Sequence, residues 1–114
     1  MSRDRLFLLQ PAFEDPRQPG RSVFCPDSNQ IEGVLASHPD LAGKIEVQRL
    51  SFPRPRHPVA ALLGEDHQSL PVLVLGEAGP VPDRVEHANG LRFVADTRRI
   101  LEVLAERHGI PAPL

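Results

Sequence analysis

Cys25-Pro26-Asp27-Ser28-Asn29-Gln30-Ile31-Glu32-Gly33-Val34-Leu35-Ala36-Ser37 is the stretch on which the reading of this chain turns. Pro26 suits the first position of a helix, where its missing N–H would have had no partner anyway. Asp27 places a negative charge in the first turn, against the positive end of the macrodipole. Ile31, Val34 and Leu35 then share one face at helical spacing. Pro39 ends the helix. Gly33 weakens the pattern unless it permits close packing against a neighbour. The spacing therefore predicts a helix over 26–37 and leaves Cys25, the only cysteine of the chain, at its start.

A second stretch belongs with the first. Ser69-Leu70-Pro71 leads into Val72-Leu73-Val74-Leu75, a proline followed by a continuous apolar run. Such a run reads as a strand buried on both faces, over 71–75, and Leu6-Phe7-Leu8-Leu9 reads in the same way. Residues 45–50 form another strand, with Ile45 and Val47 alternating against Glu46 and Gln48. Residues 58–63 form a short helix closed by Gly64, and Arg92-Phe93-Val94 a fourth strand. In the last helix Asp96 or Thr97 is the cap, Ile100, Leu101 and Leu104 form the apolar stripe, and Gly109 with Pro111 is the stop. Proline clusters at 11–19, 53–58, 80–82 and 111–113 punctuate these elements. The predicted order is β-α-β-α-β-β-α: an α/β fold with a four-stranded mixed sheet and helices on both faces. The first β-α-β crossover is expected to be parallel and right-handed, and the last two strands an antiparallel pair.

Composition excludes several classes of function. The 114 residues make one small domain, 1–114, with 40% hydrophobic residues for a single core. Five Phe with no Trp or Tyr argue against an aromatic platform for nucleic-acid bases. A net charge of -2 with interspersed signs gives no electrostatic ground for a nucleic-acid or membrane-surface partner. A single cysteine cannot form an internal disulfide. No secretory core or apolar span is visible, so a reducing cytoplasm with Cys25 as a free thiol is the expected location. His38, His57, His67, His87 and His108 show no metal spacing with Cys25, and no metal is expected.

Three segments together carry a family likeness: Cys25-Pro26-Asp27-Ser28, Ser69-Leu70-Pro71-Val72-Leu73, and Phe93-Val94-Ala95-Asp96-Thr97 followed by Ile100-Leu101. With the element order, they resemble the thioredoxin-like superfamily on its glutaredoxin and glutathione-transferase N-terminal branch. Leu6-Phe7-Leu8-Leu9, Phe13-Glu14-Asp15-Pro16, Ser51-Phe52-Pro53-Arg54-Pro55-Arg56 and Gln68-Ser69-Leu70-Pro71 resemble, more closely and over nearly the whole chain, a bacterial family classed as a domain of unknown function. The superfamily resemblance implies that Leu70–Pro71 is cis and lies beside the thiol. It implies that the backbone of Leu70 pairs with the cysteinyl part of glutathione or of a peptide. It further implies that Asp96 and Thr97 receive a γ-glutamyl carboxylate, and that Arg54 or Arg56 meets a glycyl carboxylate. A helix start is a sound anion site, because its unpaired N–H groups and dipole both favour negative charge.

The chemistry of such a cysteine follows from its place. A free thiol titrates near a pKa of about 8.5, and only the thiolate is nucleophilic. The first turn of a helix favours that thiolate, which could attack a disulfide and form a mixed disulfide. Ser28 stands where a resolving cysteine would be, a C-x-x-S pattern. Release would then fall to a second thiol such as glutathione, and Ser28 could hydrogen-bond the sulfur. The expected activity is monothiol, glutaredoxin-like thiol–disulfide exchange on glutathione or a protein disulfide, with Cys25 and Ser28 catalytic and no resident cofactor.

Other readings stand beside this one. Lone intracellular cysteines are often inert core residues, Pro71 could be a trans proline opening a strand, and Asp96 and Thr97 could be caps alone. The domain could be a non-catalytic binding or assembly module, or two copies could hold an iron–sulfur cluster through Cys25 and glutathione. The oligomeric state stays open, a homodimer included. Two departures from the family pattern matter. The loop over 10–24 is long for a glutaredoxin and ends at the thiol, as a lid or partner surface would. The chain also stops soon after its third helix, without the helical domain that completes a glutathione transferase. His67, four residues before Pro71, could approach the thiol or be a solvated loop residue. His108 suits the dipole at its helix end, and Arg98 and Arg99 can pair with Glu102 at helical spacing.

Overall fold

The structure is a computed structural model and describes residues 2–114. At its centre runs β1 (Arg5–Leu9), whose residues from Leu6 to Leu9 are all buried, as an unbroken apolar strand requires. β1 pairs in parallel with β4 (Glu46–Leu50) and antiparallel with β5 (Val72–Val74). β5 pairs antiparallel with β7 (Leu91–Val94), which pairs with β6 (Glu86–Ala88). The sheet order is β4-β1-β5-β7-β6. The parallel first crossover and the antiparallel pairing of the last two expected strands are as the sequence predicts.

The sheet has five strands, not four. The added edge strand β6 is joined to β7 by Asn89-Gly90, both at positive φ (50° and 75°). Asn-Gly is a strong hairpin signal, because this turn type needs two residues that tolerate left-handed backbone. The strand itself reads Glu-His-Ala and carries no apolar alternation, so periodicity alone passes over it.

Side-chain alternation divides the core into two layers. Leu6, Leu8, Leu73 and Val94 face α1 (Pro26–Ser37) and α4 (Thr97–His108), meeting Ile31, Leu35, Ile100, Val103 and Leu104. Phe7, Val72, Val74 and Phe93 face the other way, onto Val59 and Leu63 of α3 (His57–Leu63). Helices thus cover both faces. Pro39 does not simply end the first helix: it opens a further turn, α2 (Pro39–Ala42), which sinks Leu41 into the first layer. Gly33 is exposed, and a Cβ there would meet nothing within 4 Å, so close packing is not its reason. The cap of α4 is Asp96, which accepts the Arg99 amide at 2.9 Å, while Thr97 is the first helical residue. Gly109 closes α4 in the left-handed conformation, with φ 76°.

The segment over 10–24 is not structureless. It holds a small hairpin, β2 (Phe13–Glu14) with β3 (Ser22–Val23), separate from the main sheet. The Gly20 amide donates to Glu14 Oε1 at 2.6 Å, and Asp15 accepts both the amide and the guanidinium of Arg17. The Phe13 ring stacks on Phe52 at 4.7 Å, docking the hairpin on the loop after β4.

Candidate functional site

Strand register decides which segments share one end of the sheet. β1 and β4 run in parallel and finish together, Leu9 opposite Leu50. β5 runs against β1 with Phe7 opposite Val72, so the Leu70–Pro71 step that precedes β5 lies beside the end of β1. β7 runs against β5 with Leu73 opposite Val94, so the start of α4 falls at that same end. The register therefore gathers Cys25 (which follows the β2–β3 hairpin), the 51–56 loop, Leu70–Pro71, and Asp96 with Thr97 at one end. Leu70–Pro71 is cis, and so is Arg54–Pro55.

Cys25 caps α1. Its backbone is extended (φ -87°, ψ 114°), its sulfur accepts the Ser28 amide at 3.4 Å, and its carbonyl accepts the Asn29 amide at 2.9 Å. The thiol is half-buried and free. The expected hydrogen bond from the Ser28 hydroxyl to this sulfur is not formed. That hydroxyl is buried and accepts the Leu9 amide at 3.1 Å, pinning the end of β1 to the first turn of α1. Ser28 therefore positions the turn, and its backbone, not its side chain, addresses the sulfur. The cleft at the thiol, lined by Leu9, Pro11, Phe24 and Ser28 among others, measures about 10 Å³. That is about one water, so a partner must meet the sulfur at the surface.

Arg54 and Arg56 part company. Arg54 is exposed, whereas Arg56 is only 8% exposed. The Arg56 guanidinium donates to the carbonyl of Phe52 (2.6 and 3.0 Å) and of Gln68 (2.9 Å), and it lies over the Phe52 ring at 5.4 Å. Its amide donates to Gln68 Oε1 at 2.6 Å. These bonds tie the 52–56 loop to the segment that leads into Leu70–Pro71. No carboxylate pairs with Arg56 among the described residues. Burial holds its pKa below the usual arginine range and the neighbouring Arg54 charge pushes the same way, while Cys25 pulls it back up. A buried cation without a counter-carboxylate thus lies at the same sheet end as the thiol, a feature that residue type alone does not reveal.

Asp96 and Thr97 sit at the same sheet end, but one carboxylate oxygen of Asp96 already serves the cap. His67 is half-buried and packs on Phe93 at 5.0 Å, so its ring belongs to the α3-side core. Arg98 and Arg99 do pair with Glu102, at 3.4 and 3.1 Å, and the buried Arg99 also reaches Asp83 and Glu106. Among the described residues no three of His, Cys, Asp or Glu come together in a metal-holding group. Among the described residues no helix is long and apolar enough to cross a membrane.

One polar cluster escapes a sequence reading altogether. Asp4, 2% exposed, accepts the Gly76 amide (2.7 Å), two nitrogens of Arg107 (2.8 and 2.9 Å) and His108 Nε2 (2.8 Å). His108 thus has a carboxylate partner as well as a place at the helix end. More than 100 residues separate Asp4 from Arg107, so no local pattern could signal the pair.

No curated protein and no solved structure matches the chain. A family model does, over residues 3–112. With a match that spans both sheet ends and all four helices, the chain belongs to the family described as "Protein of unknown function (DUF3088)".

Proposed function

We propose that this chain is a thioredoxin-like protein that performs monothiol thiol–disulfide exchange through Cys25, with glutathione as the second thiol. The observation that carries this reading is the convergence at one sheet end of a helix-capping thiol, the Leu70–Pro71 step and a buried arginine without a carboxylate partner. The strand arrangement supports it: a parallel central pair followed by antiparallel strands, with helices on both faces, is the order that the resemblance implies. The fifth strand is an edge addition that leaves the order of the other four unchanged.

The chemistry balances with the groups named. The Cys25 thiolate attacks one sulfur of a substrate disulfide, such as protein–S–S–glutathione, and the S–S electron pair leaves with the protein thiolate. A Cys25–glutathione disulfide remains. A glutathione thiolate then attacks it, releases glutathione disulfide and restores Cys25. Ser28 offers no thiol for self-resolution. The exposed Arg54 is a candidate contact for a glutathione carboxylate, with the buried Arg56 holding the 52–56 loop behind it. The N–H groups at the start of α4 are a candidate second anion contact, and the Leu70 backbone is a candidate pairing edge.

The test is turnover of a glutathionylated peptide with excess glutathione. Wild-type protein is expected to release the peptide thiol catalytically, through a glutathione adduct on Cys25 visible by mass. Cys25→Ser is expected to be inactive. An inactive wild type with no adduct, in a sample whose fold is intact by circular dichroism, would refute the reading. One observation favours a second role for the same end: Phe24, beside the thiol, is 57% exposed, and the docked hairpin frames it. A protein disulfide with an apolar flank suits that rim better than a small molecule alone.

A further inference from the structure

At the opposite end of the sheet lies a pocket that the thiol reading does not use. It occupies about 340 Å³ where the start of β1, the turn before β4, the loop after β5 and the end of α4 meet. Arg3, Asp4, Lys44, Gly79, Arg107 and His108 line it. Its charge divides into an inner and an outer set.

The inner set is closed. Both oxygens of Asp4 carry two hydrogen bonds each: Oδ1 from the Gly76 amide and Arg107, Oδ2 from Arg107 and His108. A carboxylate offers about four acceptor positions, so Asp4 has none left to turn toward the pocket. Arg107 is equally engaged, with Asp4 and with the carbonyls of Gly76, Ala78 and Pro80. The side chains of this pair are 1% and 4% exposed, and their charges cancel.

The outer set is cationic. Arg3 donates through Nη1 to the Gly43 carbonyl at 3.0 Å, which leaves Nε and Nη2. The exposed Lys44 reaches the His108 carbonyl at 3.5 Å, over the negative end of α4, and keeps two of its three N–H donors. His108 commits Nε2 to Asp4, which orients the ring and leaves Nδ1. No carboxylate other than the saturated Asp4 lines the pocket. Two exposed cationic side chains and the His108 ring, arriving from three different segments, surround a volume that holds a tetrahedral anion with room for a substituent.

We propose that this pocket binds a phosphate dianion, either free or as the monoester group of a small metabolite. Arg3 and Lys44 supply the charge, His108 forms one wall with its ring held by Asp4, and the Asp4–Arg107 pair is the rigid floor. The site is independent of Cys25 and does not rest on the redox reading.

The test is an amide-resolved NMR titration of the full chain at neutral pH and constant ionic strength, with inorganic phosphate and with glycerol phosphate, and with chloride as control. Saturable shifts confined to the neighbourhood of Arg3, Lys44, Gly79 and His108 are expected. Arg3→Ala and Lys44→Ala are each expected to weaken binding about tenfold, as loss of one charge-assisted hydrogen bond does. Neither residue belongs to the Asp4–Arg107 pair, so the fold stays intact. Saturation by both probes supports an ester-bearing ligand, and saturation by phosphate alone supports the free ion. Non-saturating shifts, shifts that chloride reproduces, or variants that bind as wild type would overturn the proposal.

Discussion

Ser28 and Arg56 show how a side chain of ordinary type acquires a role from its surroundings. The buried Ser28 hydroxyl is the acceptor for the Leu9 amide. Ser28→Ala leaves that N–H unpaired in a dry environment and is expected to destabilise the fold by about 1–3 kcal/mol, read as a lower urea midpoint at unchanged slope. Arg56 is a buried cation at the thiol end without a carboxylate of its own. Arg56→Met removes that charge and is expected to slow the reaction of Cys25 with anionic glutathione disulfide about tenfold, by weakening the local field that attracts the anion. Its reaction with a neutral disulfide of similar size should change far less. Equal slowing with both disulfides would show that Arg56 acts only as a strut for the 52–56 loop. The identity of both residues as site candidates was legible from position in the chain. Their burial and bonding were not, because each depends on a backbone group supplied by another segment.

At the scale of elements, the periodic helices and apolar strands were readable because burial stamps a period on them. Pro26 to Ser37, the unbroken Leu6–Leu9 run and the stripe of α4 all follow that rule. What escaped was polar and short: β6 with its Glu-His-Ala sequence, the two-residue strands of the hairpin, and the single turn of α2. The start of α4 offers a test that separates cap from ligand. Asp96→Ala removes the acceptor for the Arg99 amide and is expected to cost about 1 kcal/mol. Thr97→Ala, inside the first turn, should leave the thermal midpoint nearly unchanged. If Thr97→Ala preserves stability yet weakens glutathione binding, the residue contacts the ligand as well as the helix.

For the molecule as a whole, the thiol end and the opposite end are held by different means. The thiol end is stitched by hydrogen bonds of Ser28 and Arg56 with backbone and side-chain groups of neighbouring segments. The other end is locked by Asp4, whose carboxyl burial would raise the pKa, but the hydrogen bonds from Arg107, the Gly76 amide and His108 bring it below the usual 3.8. A carboxyl held lower in the folded state than in the unfolded chain stabilises the fold above the unfolded value. That contribution is lost as pH falls below about 3.8 through the folded value. Acid titration of the unfolding midpoint is expected to show this loss in wild type. Gly76 is part of the same lock: a Cβ there would lie 2.3 Å from the Ser2 carbonyl oxygen and 2.7 Å from the Arg3 carbonyl carbon. Gly76→Ala is expected to cost about 1–3 kcal/mol or more, since backbone must shift to admit it.

The most direct test of the thiol reading is the rate at which iodoacetamide alkylates Cys25 at neutral pH, in the native chain and in the same chain unfolded by urea. A thiol that caps a helix, with a buried guanidinium at the same sheet end, is expected to react faster in the native chain than in the unfolded one. A native rate below the unfolded rate would mean that Cys25 is a sheltered packing residue, and would contradict its assignment as the reactive centre.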